Sequence, residues 1–246
     1  MAYLDVENLS LTIDGKKLLD NISFSLEKGS LTLIAGKNGS GKSLLLKCLK
    51  GLEVPNKGAR IILDGSELTK SKERMSKIAL VFQDTALQIV GSTVERDIAF
   101  GPENLRWDKA RINTITDCMI TMFGLEKVRT NNPETLSGGE KRKLAIAGVL
   151  AMEPKLLLLD EPFANLDYPS TKIVIKALET LKENGITVIL VSHEAEKFLR
   201  HTDNTIIINN GNIVFNDKSR TAMKALMEND VYLPKNVRFE ELSWLD

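Results

Sequence analysis

An α/β fold, with a mainly parallel sheet covered by helices on both faces, is predicted by three features of this sequence. Short apolar runs of strand length alternate with stretches whose apolar residues recur at helical spacing. A glycine-rich loop, Gly36-Lys37-Asn38-Gly39-Ser40-Gly41-Lys42-Ser43, joins one such run to one such helical stretch. A second apolar run, Leu156-Leu157-Leu158-Leu159, ends in the carboxylates Asp160 and Glu161, which a parallel sheet delivers to the edge where ligands bind.

The elements follow from local pattern. Val6 to Ile13 alternates loosely and reads as a strand, as does Ile22 to Leu26. Leu31-Thr32-Leu33-Ile34-Ala35 is a short buried strand, and Leu44 to Lys50 is a helix closed by Gly51. Arg60-Ile61-Ile62-Leu63 runs into the turn signal Asp64-Gly65, and Ile78 to Phe82 is another apolar strand. The middle changes character. Ile112, Ile115, Met119 and Met122 fall at helical spacing, so a helical stretch is expected from about Thr93 to Ala151. Breaks are expected at Gly101-Pro102 and around Asn131-Asn132-Pro133. After the strand Leu156 to Leu159 comes a helix with Ile173, Ala177 and Leu181 on one face, stopped by Asn184-Gly185. Thr187 to Val191 is a strand, and Thr205 to Ile208 and Asn212 to Phe215 flank the hairpin turn Asn210-Gly211. From about Tyr232 the chain is polar with scattered apolar residues and has no assigned role. The helical middle reads as an insertion. The expected organisation is a core of about 1–83 and 152–220, a helical subdomain of about 84–151, and a C-terminal extension of about 221–246.

Composition narrows the function. Hydrophobic residues make up 43% of the 246, enough to fill a core. Lys+Arg and Asp+Glu both total 33, and a chain of zero net charge lacks the basic excess of an electrostatic nucleic-acid binder. Cys48 and Cys118 are the two cysteines and have no paired spacing, so neither a disulfide framework nor a zinc site is indicated and a reducing cytosol is expected. The N-terminal stretch is already acidic, unlike a signal peptide, and no run of about 18 apolar residues occurs. If the protein acts at a membrane, another chain must span it.

The loop matches the phosphate-binding pattern G-x-x-x-x-G-K-[ST] in the right context, after a strand and before a helix. Glycines let the backbone wrap so that successive N–H groups converge on a triphosphate, and the helix N-terminus adds partial positive charge. The nucleotide-binding set is Gly36, Lys37, Asn38, Gly39, Ser40, Gly41, Lys42, Ser43 and Leu44. Lys42 is placed to reach the β- and γ-phosphates of ATP, and the Ser43 hydroxyl to ligate Mg²⁺. Asp160 is expected to hold Mg²⁺, directly or through water, and Glu161 to orient and polarise the attacking water. The plainer reading of these acids, a solvated pair at a strand end, loses ground beside the phosphate loop.

Leu136-Ser137-Gly138-Gly139-Glu140 resembles the LSGGQ-type signature of ATP-binding-cassette (ABC) ATPases, with Glu140 in place of the usual Gln. It also reads as a helix start in which Ser137 caps and Glu140 completes a capping box, and the two readings are compatible. The resemblance covers the chain to about Lys218, with the motifs in the family's order. It implies an ABC nucleotide-binding domain: a P-loop NTPase core with a mainly parallel sheet, a small antiparallel β subdomain and an inserted α-helical subdomain. It implies that Ser137, Gly138 and Gly139 contact the γ-phosphate held by an opposite subunit, in a head-to-tail dimer. Gln83 resembles the Q-loop glutamine that senses the metal and the nucleophilic water. Asn165-Leu166-Asp167 resembles the D-loop at the dimer interface, and His193 resembles the switch histidine on the γ-phosphate. His201 has no such match and is expected on a helix surface. The family usually places an aromatic on adenine at the end of the first strand, a contact worth about 1–3 kcal/mol. Ile13 stands there instead, so either ATP binds more weakly, another apolar contact substitutes, or Tyr3 supplies the ring.

The segment from Gln88 to Pro102 resembles the Q-helix region of energy-coupling-factor (ECF) ATPases, the subgroup serving vitamin, cobalt and nickel uptake, as does the run Lys141 to Met152. The subgroup's usual Pro-Asp-Asp/Asn before the Gln is replaced by Asp84-Thr85-Ala86-Leu87. The resemblance implies an ATPase peripheral to the cytoplasmic face of the membrane. Its partners would be a second cassette, identical or related, a transmembrane coupling subunit received near Gln88 to Thr93, and a substrate-binding membrane subunit. Nucleic acid is not an expected partner. The alternatives are another bacterial ABC importer, a soluble ABC ATPase acting on nucleic acid or ribosomes, and a non-hydrolysing interaction subunit, which intact Lys42, Asp160, Glu161 and His193 argue against.

Overall fold

A computed structural model describes residues 2–245. The first two strands, β1 (Leu4–Ile13) and β2 (Lys16–Leu26), form a hairpin around Asp14 and Gly15, both at positive φ. Then follow β3 (Leu31–Ala35), α1 (Lys42–Lys50), β4 (Arg60–Leu63), β5 (Ser66–Glu67), α2 (Ser71–Lys77) and β6 (Ile78–Val81). The helices α3 (Val94–Asn104), α4 (Lys109–Phe123) and α5 (Gly138–Leu150) come next, with no strand between them before β7 (Leu156–Asp160). The chain continues through α6 (Tyr168–Glu183), β8 (Thr187–Val191), β9 (Asn204–Asn209), β10 (Asn212–Lys218) and α7 (Met223–Glu228).

These strands form two sheets. One is antiparallel, in the order β2-β1-β4-β5; the other runs β10-β9-β3-β8-β7-β6, parallel throughout except for the edge pair β10 and β9. The short central strands β3, β7 and β8 are buried at every residue, as layers on both faces require. Their side chains alternate between two cores. Leu33, Leu157, Leu159, Val188 and Leu190 pack with the α3 to α6 side, including Phe123, Leu144 and Leu178. Ile34, Leu156, Leu158, Ile189 and Val191 pack with α1 residues Leu45 and Leu49 and with the antiparallel strands through Leu4, Leu9 and Ile22. The period-2 alternation thus sorts neighbouring residues of one strand into opposite layers.

The expected strands and helices recur, the short strand β5 and the helix α7 are additional, and four further differences stand out. The start of β2 and the helix α2 are too polar to carry an apolar period. The expected break at Gly101-Pro102 is absent, and α3 runs through Pro102 to Asn104. The proline removes one donor near the helix end, while Gly101 and Pro102 carbonyls still accept from Leu105 N and Trp107 N at 3.0 and 3.2 Å. The turn comes instead before Asp108, whose side chain caps α4 through Arg111 N at 3.0 Å.

The third difference is His201, which lies in a 3-10 turn rather than on a helix surface, with its side chain 8% exposed. Its Nδ1 is 2.7 Å from Glu179 Oε1 and its Nε2 2.7 Å from Ser243 Oγ. The fourth is the stretch beyond Tyr232, which docks. Leu233 and Leu242 join the core, Trp244 N–H donates to Lys197 O at 2.8 Å, and the Trp244 ring lies 5.4 Å from that of Tyr168 and 4.6 Å from Lys197 Nζ. Its apolar residues are spaced for neither helix nor strand, because an irregular strap is held by its contacts rather than by a repeat.

The turn Asn210-Gly211 fits against the first hairpin: Gly211 has φ 76°, and a Cβ there would lie 2.5 Å from the Leu18 carbonyl oxygen. Gly211→Ala combines a left-handed backbone with that clash and is expected to cost about 1–3 kcal/mol, a fall in melting temperature of several degrees on the order of 2–4 °C per kcal/mol. A thermal melt unchanged from wild type refutes this.

Candidate nucleotide-binding site

The site forms where β3, β7 and β8 end on the same edge of the parallel sheet. After β3 the chain turns at Gly36, where φ is 137° and a Cβ would sit 2.1 Å from the Ile208 carbonyl oxygen. At Gly41, with φ 107°, a Cβ would meet Leu19 Cδ2 at 2.7 Å. The loop is therefore squeezed between β9 and β2 at Gly36 and Gly41, where a side chain would collide. The Lys37 side chain points elsewhere and pairs with Asp230 at 2.5 Å, so this residue can offer the cleft only its backbone.

Lys42, in the first turn of α1, is buried and curls back over the loop, donating to Gly36 O and Lys37 O at 2.8 Å each. Burial pulls its ammonium below the ordinary lysine range, against the upward pull of Glu161 and Asp160. Ser43 Oγ donates to Asp160 Oδ1 at 3.1 Å. Burial raises the Asp160 carboxyl above the usual carboxylate range, opposed by that same hydrogen bond. Glu161 sits at φ 51°, a strained value for a residue with a side chain, and its amide donates to Val191 O at 2.9 Å. Its Oε1 is 3.0 Å from His193 Nδ1, and its Oε2 is buried with no protein partner.

A cleft of about 340 Å³ is lined by Asn38, Gly39, Gly41, Lys42, Ser43, Leu44, Gln83, Glu161 and His193. The structure thus gathers Gln83, Glu161 and His193, from three separate loops, around the phosphate loop. Ser40 is buried within the loop rather than at the cleft wall. Ser43 lines the cleft and Asp160 lies directly behind it at hydrogen-bond distance, so two adjacent hard oxygen donors stand at this wall, which fits Mg²⁺, a cation held by one or two protein oxygens with phosphates and water completing its shell.

Ser137, Gly138 and Gly139 do not join this cleft. Ser137 caps α5, where Glu140 N donates to its Oγ at 3.3 Å and Glu140 Oε2 accepts from its N at 2.9 Å, the expected capping box. The Ser137 hydroxyl, donating to Glu140 Oε2 at 2.7 Å, and then the Ser137 amide hold the Glu140 carboxyl below its ordinary range. Asp167 caps α6 through Ser170 N at 2.9 Å. Tyr3 cannot supply a ring to a base here. It is buried, with its hydroxyl 3.4 Å from Lys155 O at the start of β7, the opposite end of that strand from Asp160. Ile13 ends β1 half-buried, paired with Lys16.

Three residues go beyond the sequence reading. Gln88 is a strut, accepting from Phe82 N at 2.7 Å and donating to Leu80 O at 2.9 Å. Asp97, buried in α3, accepts from Val90 N and Gly91 N at 2.7 Å each. Arg142 reaches from α5 to the carbonyls of Phe82 and Gln83 at 3.0 and 2.6 Å. Its signal in the sequence is a charge on the helical face that also carries Ala145, Ile146 and Val149.

A triphosphate cleft of this build, with a capped glycine pair held apart on an inserted helix, is that of an ATP-binding cassette. The ABC transporter family model matches residues 19–164, and the chain belongs to this family of ATP-binding, ATP-hydrolysing domains. The energy-coupling factor transporter ATP-binding protein EcfA of Pediococcus pentosaceus is 36% identical, with 97% of this chain and 94% of that protein aligned. EcfA2 of Clostridium tetani is 39% identical over 81% of this chain and 71% of its own. Among solved structures, CbiO1 from Clostridium perfringens, part of the ABC transporter complex cbiONQ, is similar with a TM-score of 0.81 at 32% identity, covering 95% of this chain and 96% of that one.

Lys42→Ala removes the buried cation that lines the cleft. Charge-assisted hydrogen bonds of about 1.5–3 kcal/mol are lost, so ATP affinity by calorimetry is expected to fall roughly 10- to 100-fold. Wild-type affinity would rule out the loop as the phosphate cradle.

Proposed function

We propose that this chain is the ATPase subunit of an energy-coupling-factor importer, one of two cassettes that sandwich ATP head to tail and drive micronutrient uptake through membrane partners. The observation that carries the reading is the cleft itself: Lys42, Ser43, Gln83, Glu161 and His193 converge, while Ser137 to Gly139 lie outside it. A second cassette is the natural source of that missing wall, since a capped helix N-terminus with two glycines suits a γ-phosphate. The naming of relatives as energy-coupling factor ATP-binding proteins supports the importer class.

The membrane side is supported by surface chemistry. Leu87 is 77% exposed, and the exposed residues Val90, Phe100 and Leu105 line a groove together with Gly101, Gly148 and Met152. Such an apolar rim on the helical insertion suits the short helices of a membrane partner. Among the described residues no helix is long and apolar enough to cross a membrane. Gln88 supports that surface from behind, its side chain committed to β6.

In the proposed reaction Glu161, which lines the cleft, polarises the attacking water through its carboxylate, which His193 orients. Lys42 leaves the loop carbonyls for the phosphates, and Gln83 faces the same space. Mg²⁺, held by Ser43 and Asp160, would neutralise charge on the β- and γ-phosphates.

Glu161→Gln keeps the size and removes the charge. ATP hydrolysis is expected to fall by about 10²–10⁴-fold, the range for losing a general base, with ATP affinity retained. Turnover like wild type would sink the role. Affinity purification from native membranes in mild detergent should bring a transmembrane coupling protein and a small substrate-binding membrane subunit. Two conventional permease chains with a separate binding protein would move the chain to another importer class.

A further inference from the structure

A charge is buried in the helix that carries the signature. Arg142 is 5% exposed, on the second turn of α5, and among the described residues it has no salt bridge within 4 Å. Burying a guanidinium is costly unless its N–H groups find acceptors. Here Nη1 donates to Phe82 O at 3.0 Å and Nη2 to Gln83 O at 2.6 Å, so one planar fork grips two successive carbonyls. The Gln88 side chain in turn accepts from Phe82 N at 2.7 Å and donates to Leu80 O at 2.9 Å. The backbone entering Gln83 is thus clamped by two side chains, while Gln83 itself lines the cleft with Lys42, Ser43, Glu161 and His193.

We propose that Arg142 is a positioning residue that sets Gln83 in the nucleotide cleft and ties it to the helix headed by Ser137, Gly138 and Gly139. This rests on the reading of Gln83 as a group serving hydrolysis. One rigid helix then carries both the glycines offered to a partner's nucleotide and the guanidinium that holds the glutamine of this chain's own cleft. A shift of α5 when a second cassette docks on its glycines would reach Gln83 directly through this fork, which would link the two composite sites through a single helix.

The test is a double-mutant cycle on steady-state ATP hydrolysis by the intact purified assembly, comparing wild type, Gln83→Ala, Arg142→Lys and the double variant. Lysine keeps the charge but cannot fork to both carbonyls, and misplacement of a reacting group by about 1 Å can cost as much as 10²-fold. Arg142→Lys is therefore expected to lower kcat about tenfold, leave KM for ATP within about twofold, and leave the melting temperature near wild type. The double variant should be no slower than Gln83→Ala alone. Arg142→Gln, neutral and able to reach one carbonyl, should behave alike if the lysine variant does not fold. A full-speed Arg142→Lys beside a slow Gln83→Ala overturns the inference alone, as do effects that multiply in the double variant. A Gln83→Ala protein with full kcat overturns the reading of Gln83 and the inference with it.

Discussion

The hydrogen bond from Ser43 to Asp160 joins the two halves of the site, because it ties the glycine loop after β3 to the carboxylate edge of β7. These strands are not neighbours; β8 lies between them. The distance they must hold is set by the sheet, so the parallel register of β3, β8 and β7 fixes where the serine and the aspartate meet. Everything else in the cleft is hung from the same edge: Glu161 one residue on from Asp160, with its amide on Val191 O, and His193 two residues beyond β8. The left-handed backbone of Glu161 is the local cost of turning its carboxylate toward His193.

The charges beneath that edge balance. Lys42 and Arg142 are buried with Asp160 and Glu161, two cations against two anions, each at most 7% exposed. Lys42 rests on neutral carbonyls of its own loop rather than on either carboxylate. A phosphate placed in the cleft would offer it a charged acceptor in exchange for neutral ones, a trade that would favour binding. Had Lys42 been locked to Asp160 or Glu161, a triphosphate would have had to break a buried ion pair first.

Much of this was legible in the sequence, and for physical reasons. The loop from Gly36 to Ser43 is readable because only glycine fits at positions pressed against Ile208 O and Leu19. The central strands are readable because burial on both faces demands near-continuous apolar runs, and the Asp64-Gly65 and Asn210-Gly211 turns because positive φ selects those residues. What escaped is what depends on distant partners. The roles of Gln88 and Arg142 are set by carbonyls and amides that no local pattern announces. His201 is defined by Glu179 and by Ser243, far along the chain. Tyr3 offered a ring by type, but the fold placed it at the wrong end of β7. The helix through Pro102 survives because its last carbonyls still find donors beyond the expected break.

The two-layer sorting of the central strands has a consequence for how this chain can vary in length. Leu157 and Leu159 answer to the helices on one side, Leu156 and Leu158 to α1 and the antiparallel sheet on the other. Inserting or deleting one residue in β7 would exchange the two sets, misfitting both layers at once and sliding Asp160 off the cleft. Related chains can therefore gain or lose residues in the surface turns, where length is cheap, while these five-residue strands admit substitutions but no change of length.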